Sequence, residues 1–187
     1  MMMPAPPAPS QSRPERMIHV VQGEHAIVCE PDAVLTTILG SCVATCLHDP
    51  VARIGGMNHF LLPGEVGASG ESMKYGVNAM ELLINGLLQK GASRSRLQAK
   101  LFGGGQVMNN LSDIGAQNAE FARRFLQTEG IQIVSASLGG DRARRIRYWP
   151  ATGRATQMWI DRGDVFSAEQ RIKPAAPAPE AGAVELF

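Results

Sequence analysis

Two short stretches carry residue types that could act together on a substrate. Thr36-Thr37-Ile38-Leu39-Gly40-Ser41-Cys42 is an apolar, β-branched run that stops at Gly-Ser and presents a thiol. Met57-Asn58-His59-Phe60-Leu61-Leu62-Pro63 presents an imidazole. A thiol becomes a useful nucleophile when a base takes its proton, and imidazole is the side chain best placed to do so near neutral pH. The chemistry in view is thioacyl transfer, with Cys42 as nucleophile and His59 as base. Gly40 lets the chain bend just before the nucleophile. Backbone N–H groups at Gly40 and Ser41 are candidate donors to an oxyanion. An imidazole also needs a third group to hold its tautomer. Thr36, Thr37, Asn58 and Asp49 are the polar candidates, with Thr36 preferred because a strand turning at Gly40-Ser41 can bring it back toward His59.

The segment between the two residues decides whether they can meet. Asp49-Pro50 marks a turn, so 41–48 and 53–62 read as a hairpin. With a four-residue loop at 49–52, His48 opposes Arg53 and Cys42 falls opposite His59. Directly opposed residues share a face, with Cβ atoms roughly 4.5–5.5 Å apart. A slip of one residue would send His59 to the other face, and Gly55-Gly56 is a place where a bulge could shift the register. A zinc site built from Cys42, Cys46, His48 and His59 is disfavoured. Residues four apart in a strand lie roughly 13 Å apart, whereas zinc ligands sit within about 2.3 Å of one ion. No metal or other cofactor is expected.

The remaining elements must hold those stretches in place. The strands are expected at 17–21, 25–29, 34–39, 99–102, 131–136, 146–149 and 156–160. An amphipathic helix is expected over 73–90, with Val77, Met80, Ile84, Leu87 and Leu88 on one stripe and Gly91 as its stop. A second helix is expected over 113–128. The fold class is α/β, a layered sandwich with a mixed, largely antiparallel sheet and two main helices. The domain is placed at 17–166, between Pro- and Ala-rich tails at 1–16 and 167–187 that read as disordered and flexible.

Composition excludes several classes. The 187 residues are 44% hydrophobic and 19% charged with a formal net charge of +1, so no global field favours nucleic acid or an anionic membrane. No run approaches the roughly 18 apolar residues of a membrane span, and the start lacks the apolar core of a signal peptide. A cytoplasmic protein is expected. Three cysteines do not read as a disulfide framework; Cys29 and Cys46 are read as small buried hydrophobes. Gly103-Gly104-Gly105 is read as a tight turn at a strand end. Arg142, Arg144, Arg145 and Arg147 are read either as a docking patch or as a charged sheet edge.

Leu-Gly-Ser-Cys-Val-Ala (39–44), Gly-Gly-Met-Asn-His-Phe-Leu-Leu-Pro (55–63), Lys74-Tyr75-Gly76, Phe-Gly-Gly-Gly (102–105), Ile-Gly-Ala-Gln-Asn (114–118) and Leu-Gly-Gly (138–140) together resemble the CheD family of chemoreceptor glutamine deamidases. The resemblance runs from about 18 to 162 in the family's order. It implies a cysteine hydrolase with a Cys-His-Thr triad falling on Cys42, His59 and Thr36. It also implies glutamines of methyl-accepting chemotaxis receptors as substrates, and in some bacteria the phosphatase CheC as a partner. The alternatives are a transglutaminase or peptidase using the same thioester, or a non-catalytic adaptor in which Cys42 is buried and inert.

Overall fold

The computed structural model describes residues 14–62, 69–106 and 112–160. Its strands are β1 Arg16–His19, β2 His25–Val28, β3 Ala33–Leu39, β4 Val43–Asp49, β5 Ile54–Phe60, β6 Gln98–Gly103, β7 Gln132–Leu138, β8 Ala143–Trp149 and β9 Arg154–Ile160. The helices are α1 Ser69–Gln89 and α2 Ser112–Thr128. The tail at 167–187 lies outside the described residues, as does 1–13. Within 14–16, Glu15 already accepts from Arg147 and from the Trp149 indole, and Arg16 opens β1.

The strands form two sheets rather than one. The first runs β1-β3-β8-β9 and the second β2-β5-β4-β6-β7. Only β1–β3 and β6–β7 pair parallel. α1 packs on β5 and β2, while α2 packs on β4, β6 and β7, so both helices cover the same face of the five-stranded sheet. The result is three layers: helices, five-stranded sheet, four-stranded sheet.

Alternation along β4 divides its side chains between two cores. Val43 and Leu47 face the helices with Met80, Leu83, Ile84, Leu87, Phe121 and Leu126. Ala44 and Cys46 face the other sheet, where they meet Leu35, Leu39, Met57, Ile146 and Tyr148. With helices on one face and the other sheet on the opposite face, neither side meets solvent, and β4 and β5 are buried along their whole length.

The hairpin register differs from expectation by two residues. Asp49 pairs with Ile54 and Ala44 with His59, so the loop is 50–53. Asp49 sets this offset. Its Oδ1 accepts from the N–H groups of Val51 and Ala52 at 2.9 and 3.1 Å, and its carbonyl accepts from Arg53 N–H at 2.8 Å. Arg53 closes the turn at φ 56°. A carboxylate that caps its own turn stays in the strand and pushes the loop one residue on. Because the offset is even, every side chain keeps its predicted face.

The β4–β5 ladder runs through Gly55 and Gly56 with no bulge. These glycines serve close approach instead: a Cβ on Gly55 would lie 2.6 Å from the Pro150 carbonyl oxygen, and one on Gly56 2.8 Å from that of Ala26. β8 lies between β3 and β9, which rules out the reading of its arginines as a sheet edge. Arg144 is buried. It donates to the Ser137 carbonyl at 2.7 Å and to that of Gly139, and lies over the Trp159 ring.

Candidate active site

His59 sits at the end of β5 on the face that looks across to the four-stranded sheet, since its cross-strand partner Ala44 belongs to the inter-sheet core. Its ring is nearly buried at 7% exposure. Nδ1 lies 2.8 Å from the Thr37 hydroxyl and 3.3 Å from the Val20 carbonyl oxygen. The Thr37 hydroxyl donates to that same carbonyl at 2.7 Å. A carbonyl can only accept, and a hydroxyl has one proton. With that proton spent on Val20, Thr37 must accept from Nδ1–H. The tautomer is thereby set: Nδ1 carries the proton and Nε2 carries the lone pair. Nε2 is buried and has no hydrogen-bond partner among the described residues.

Burial pulls the His59 pKa down from 6.5 to about 4, with the Val20 carbonyl opposing that shift. The ring is therefore neutral at physiological pH. A neutral imidazole with a bare Nε2 accepts a proton; it does not hold a preformed thiolate by charge.

Of the two threonines, Thr37 and not Thr36 reaches this ring. Strand alternation is the cause. Leu35 and Leu39 face the inter-sheet core, and Thr37 lies between them in the same phase. Thr36 points the other way, and its hydroxyl donates to the Ile146 carbonyl at 2.8 Å. Its contribution to the histidine runs through the backbone: the Thr36 carbonyl accepts from Val20 N–H at 2.9 Å, which fixes the residue whose carbonyl faces Nδ1.

Cys42 lies one residue before β4 and is half-buried. By the observed register it is the diagonal neighbour of His59, on the same face as Ala44; such neighbours lie roughly 7–8 Å apart. The crossing between the sheets, Val21–Glu24, touches both residues. The Cys42 thiol donates to Gln22 Oε1 at 3.3 Å. Gly23 N–H donates to the His59 carbonyl, and His59 N–H to that of Glu24.

The loop carrying the thiol is pinned by three successive carbonyls. Gly40 O accepts from Gly105 N–H and Cys42 O from Gly104 N–H, both at 2.8 Å. Ser41 O accepts from Asn118 Nδ2 at 3.0 Å. In a trans peptide the N–H points opposite the preceding carbonyl, so the N–H groups of Ser41 and Cys42 face away from these clamps. Gly103–Gly105 thus end a strand, as expected, and also hold the loop that carries Cys42. Gly103 adopts φ 108°, and a Cβ there would lie 2.1 Å from the Cys42 carbonyl oxygen. Gly104–Gly105 were legible in the sequence as a strand-end turn but not as a clamp on this loop, and Asn118 only as a member of the family pattern. Gln22 carried no signal at all.

The other sulfur and imidazole groups stand apart from this chemistry. Burial pushes the Cys46 thiol pKa up, which keeps it protonated. Cys29 is exposed, contrary to its reading as a buried hydrophobe. His48 is buried with Nδ1 2.8 Å from the Pro150 carbonyl oxygen. Among the described residues no three His, Cys, Asp or Glu side chains converge as a metal site would require.

The class that fold and site define is a layered α/β/β domain with a thiol and a neutral, tautomer-fixed imidazole at one end of the seam between its sheets, a combination able to do thioacyl chemistry. The family model for CheD, described as chemotactic sensory transduction, matches residues 61–158. Relatives extend the likeness across the site. A protein of Acidiphilium cryptum is 56% identical over 178 residues, covering 92% of this chain and 94% of its own. One of Caulobacter sp. is 53% identical, covering 94% and 95%. Both are named probable chemoreceptor glutamine deamidase CheD. The chain belongs to the CheD family. Among solved structures, Bacillus licheniformis hypothetical protein YfiH aligns with a TM-score of 0.42 at 16% identity, over 68% of this chain and 61% of that one.

Proposed function

We propose that this chain is a chemoreceptor glutamine deamidase in which Cys42 is the nucleophile and His59 the base. The substrate class is supported by the relatives' names. The mechanism is supported above all by the Val20–Thr37–His59 chain, which leaves Nε2 as a buried lone pair. Cys42 is half-buried, which suits a reagent better than the inert core thiol an adaptor would have.

The reaction begins from a neutral thiol and a neutral imidazole. Sulfur attacks the side-chain amide carbon of a receptor glutamine as its proton passes to Nε2. The carbonyl pair moves onto oxygen, facing the N–H groups of the pinned 40–42 loop. The imidazolium then gives its proton to the departing nitrogen, and ammonia leaves a thioester. Water, deprotonated by His59, attacks that thioester and releases glutamate and the thiol. Thr37 holds the ring through both halves of the cycle and takes the orienting role that the family resemblance assigns to Thr36.

The setting of this reaction is the cytoplasm, where receptor modification takes place; no helix among the described residues is long and apolar enough to cross a membrane. A CheC-type phosphatase is a second proposed partner on the family resemblance, and failure to co-purify it with this chain would remove that part. The central test is ammonia release from a purified receptor fragment, with mass spectrometry of its peptides. Each conversion should add about one mass unit at a glutamine. Cys42→Ala and His59→Ala should each lower the rate at least about a thousandfold. Wild-type rates in either variant would sink the assignment. Cleavage of the fragment would indicate a peptidase, and capture of an added primary amine a transglutaminase.

A further inference from the structure

The turn that crosses between the sheets carries Gln22 beside the Cys42 thiol. Gln22 is exposed, yet its carboxamide receives the Cys42 thiol proton at 3.3 Å. The backbone beneath it is tied down. Glu24 N–H donates to the Val21 carbonyl at 3.0 Å, closing the turn, and Gly23 N–H donates to the His59 carbonyl at 2.7 Å. Gly23 has φ 89°, the left-handed conformation that the third position of such a turn demands. Two residues upstream, Val20 supplies the carbonyl that faces Nδ1. Gln22 is therefore registered against both reacting side chains at once.

A carboxamide offers an acceptor and a donor on one freely turning group, since the last torsion of glutamine is broad and roughly two-fold. In the resting enzyme the acceptor faces the thiol. Once sulfur has given up its proton and bonded to the amide carbon, Oε1 has nothing left to accept there. Negative charge is then building on the substrate oxygen beside the sulfur. A half-turn of the carboxamide replaces Oε1 with NH2 at that point. We propose that Gln22 is a catalytic residue whose side-chain NH2 donates to the oxyanion of the tetrahedral intermediate, alongside the N–H groups of the 40–42 loop. This rests on Cys42 being the nucleophile.

The test uses the full chain and the variant Gln22→Met, which keeps side-chain length and removes the donor. Two rates are read: ammonia release from a receptor fragment, and alkylation of Cys42 by iodoacetamide followed at its own peptide. Alkylation needs the thiolate but forms no oxyanion. The expected result is a kcat for ammonia release lower by about 10²-fold, with KM and the alkylation rate little changed. Gln22→Glu, which sets a carboxylate against the oxyanion, should be slower still. An unchanged kcat in Gln22→Met would overturn the proposal, and a raised one would show that the carboxamide obstructs the thiol. Equal loss in both rates would also overturn it, because Gln22 would then act on the thiol. Full activity in Cys42→Ala would remove the nucleophile assignment itself, whatever Gln22→Met does.

Discussion

Thr37→Val and Thr36→Val are near-isosteric, keep the β-branched shape that a strand favours, and should differ sharply in their effect on the rate. At position 37 the change removes a hydroxyl that makes two bonds, at 2.7 Å to the Val20 carbonyl and at 2.8 Å to His59 Nδ1. The two groups left behind lie 3.3 Å apart and can close on each other, so neither is stranded outright. The cost falls between a net hydrogen bond and a buried unsatisfied group, about 2 kcal/mol. Nδ1–H would also lose its better acceptor, letting the other tautomer compete. If that cost appears in the transition state, kcat/KM falls roughly 30-fold. At position 36 the change removes one bond to the Ile146 carbonyl. It should cost about 1 kcal/mol of stability and leave the rate nearly unchanged, because the backbone link from Thr36 to Val20 survives. Ammonia release from a receptor fragment measures the rates, urea unfolding the stabilities, and nitrogen NMR of the His59 ring the tautomer. A larger rate loss in Thr36→Val than in Thr37→Val, with both proteins folded, would refute the assignment of Thr37 as the residue that orients the base.

Three further outcomes follow from the structure. The acid limb of kcat/KM should fall near pH 4 rather than near 6.5, because burial lowers the pKa of the imidazole that must be neutral to act; a limb near 6.5 would mean that the ring is solvated in the working enzyme. The same depression ties stability to pH. The unfolded histidine binds its proton first as pH falls, so the contribution of His59 is whole above about 6.5 and is lost on descending through about 4. The full swing is about 3 kcal/mol, and urea midpoints of the wild type and His59→Gln should converge toward pH 4. Gly103→Ala should cost at least about 2 kcal/mol, from strain at a left-handed φ plus the clash with the Cys42 carbonyl. Its residual folded fraction should deamidate poorly, and a stable, fully active variant would show that the Gly103–Gly105 clamp on the Cys42 loop is dispensable.

The amino-acid sequence by itself determined that one thiol and one imidazole lie on the same face of one hairpin. A strand broken at Gly-Ser, a turn at Asp49-Pro50 and a period of two place Cys42 and His59 on one face, and that inference survives a two-residue error in register because parity is all it needs. Local periodicity likewise determined the two helices, whose apolar stripes require a sheet to cover. What the sequence did not determine is which face of β3 looks inward. Thr36 and Thr37 differ by one step along an alternating strand, and only the packing of the four-stranded sheet against the five-stranded one turns Thr37, between Leu35 and Leu39, toward the histidine. The tautomer, the depressed pKa and the contact from Gln22 depend on that same packing. Each arises where the chain crosses from one sheet to the other, and a crossing joins residues that no local period relates. Alternation is a property of a single strand, whereas desolvation and hydrogen-bond direction belong to the seam, which exists only once both sheets have closed on it.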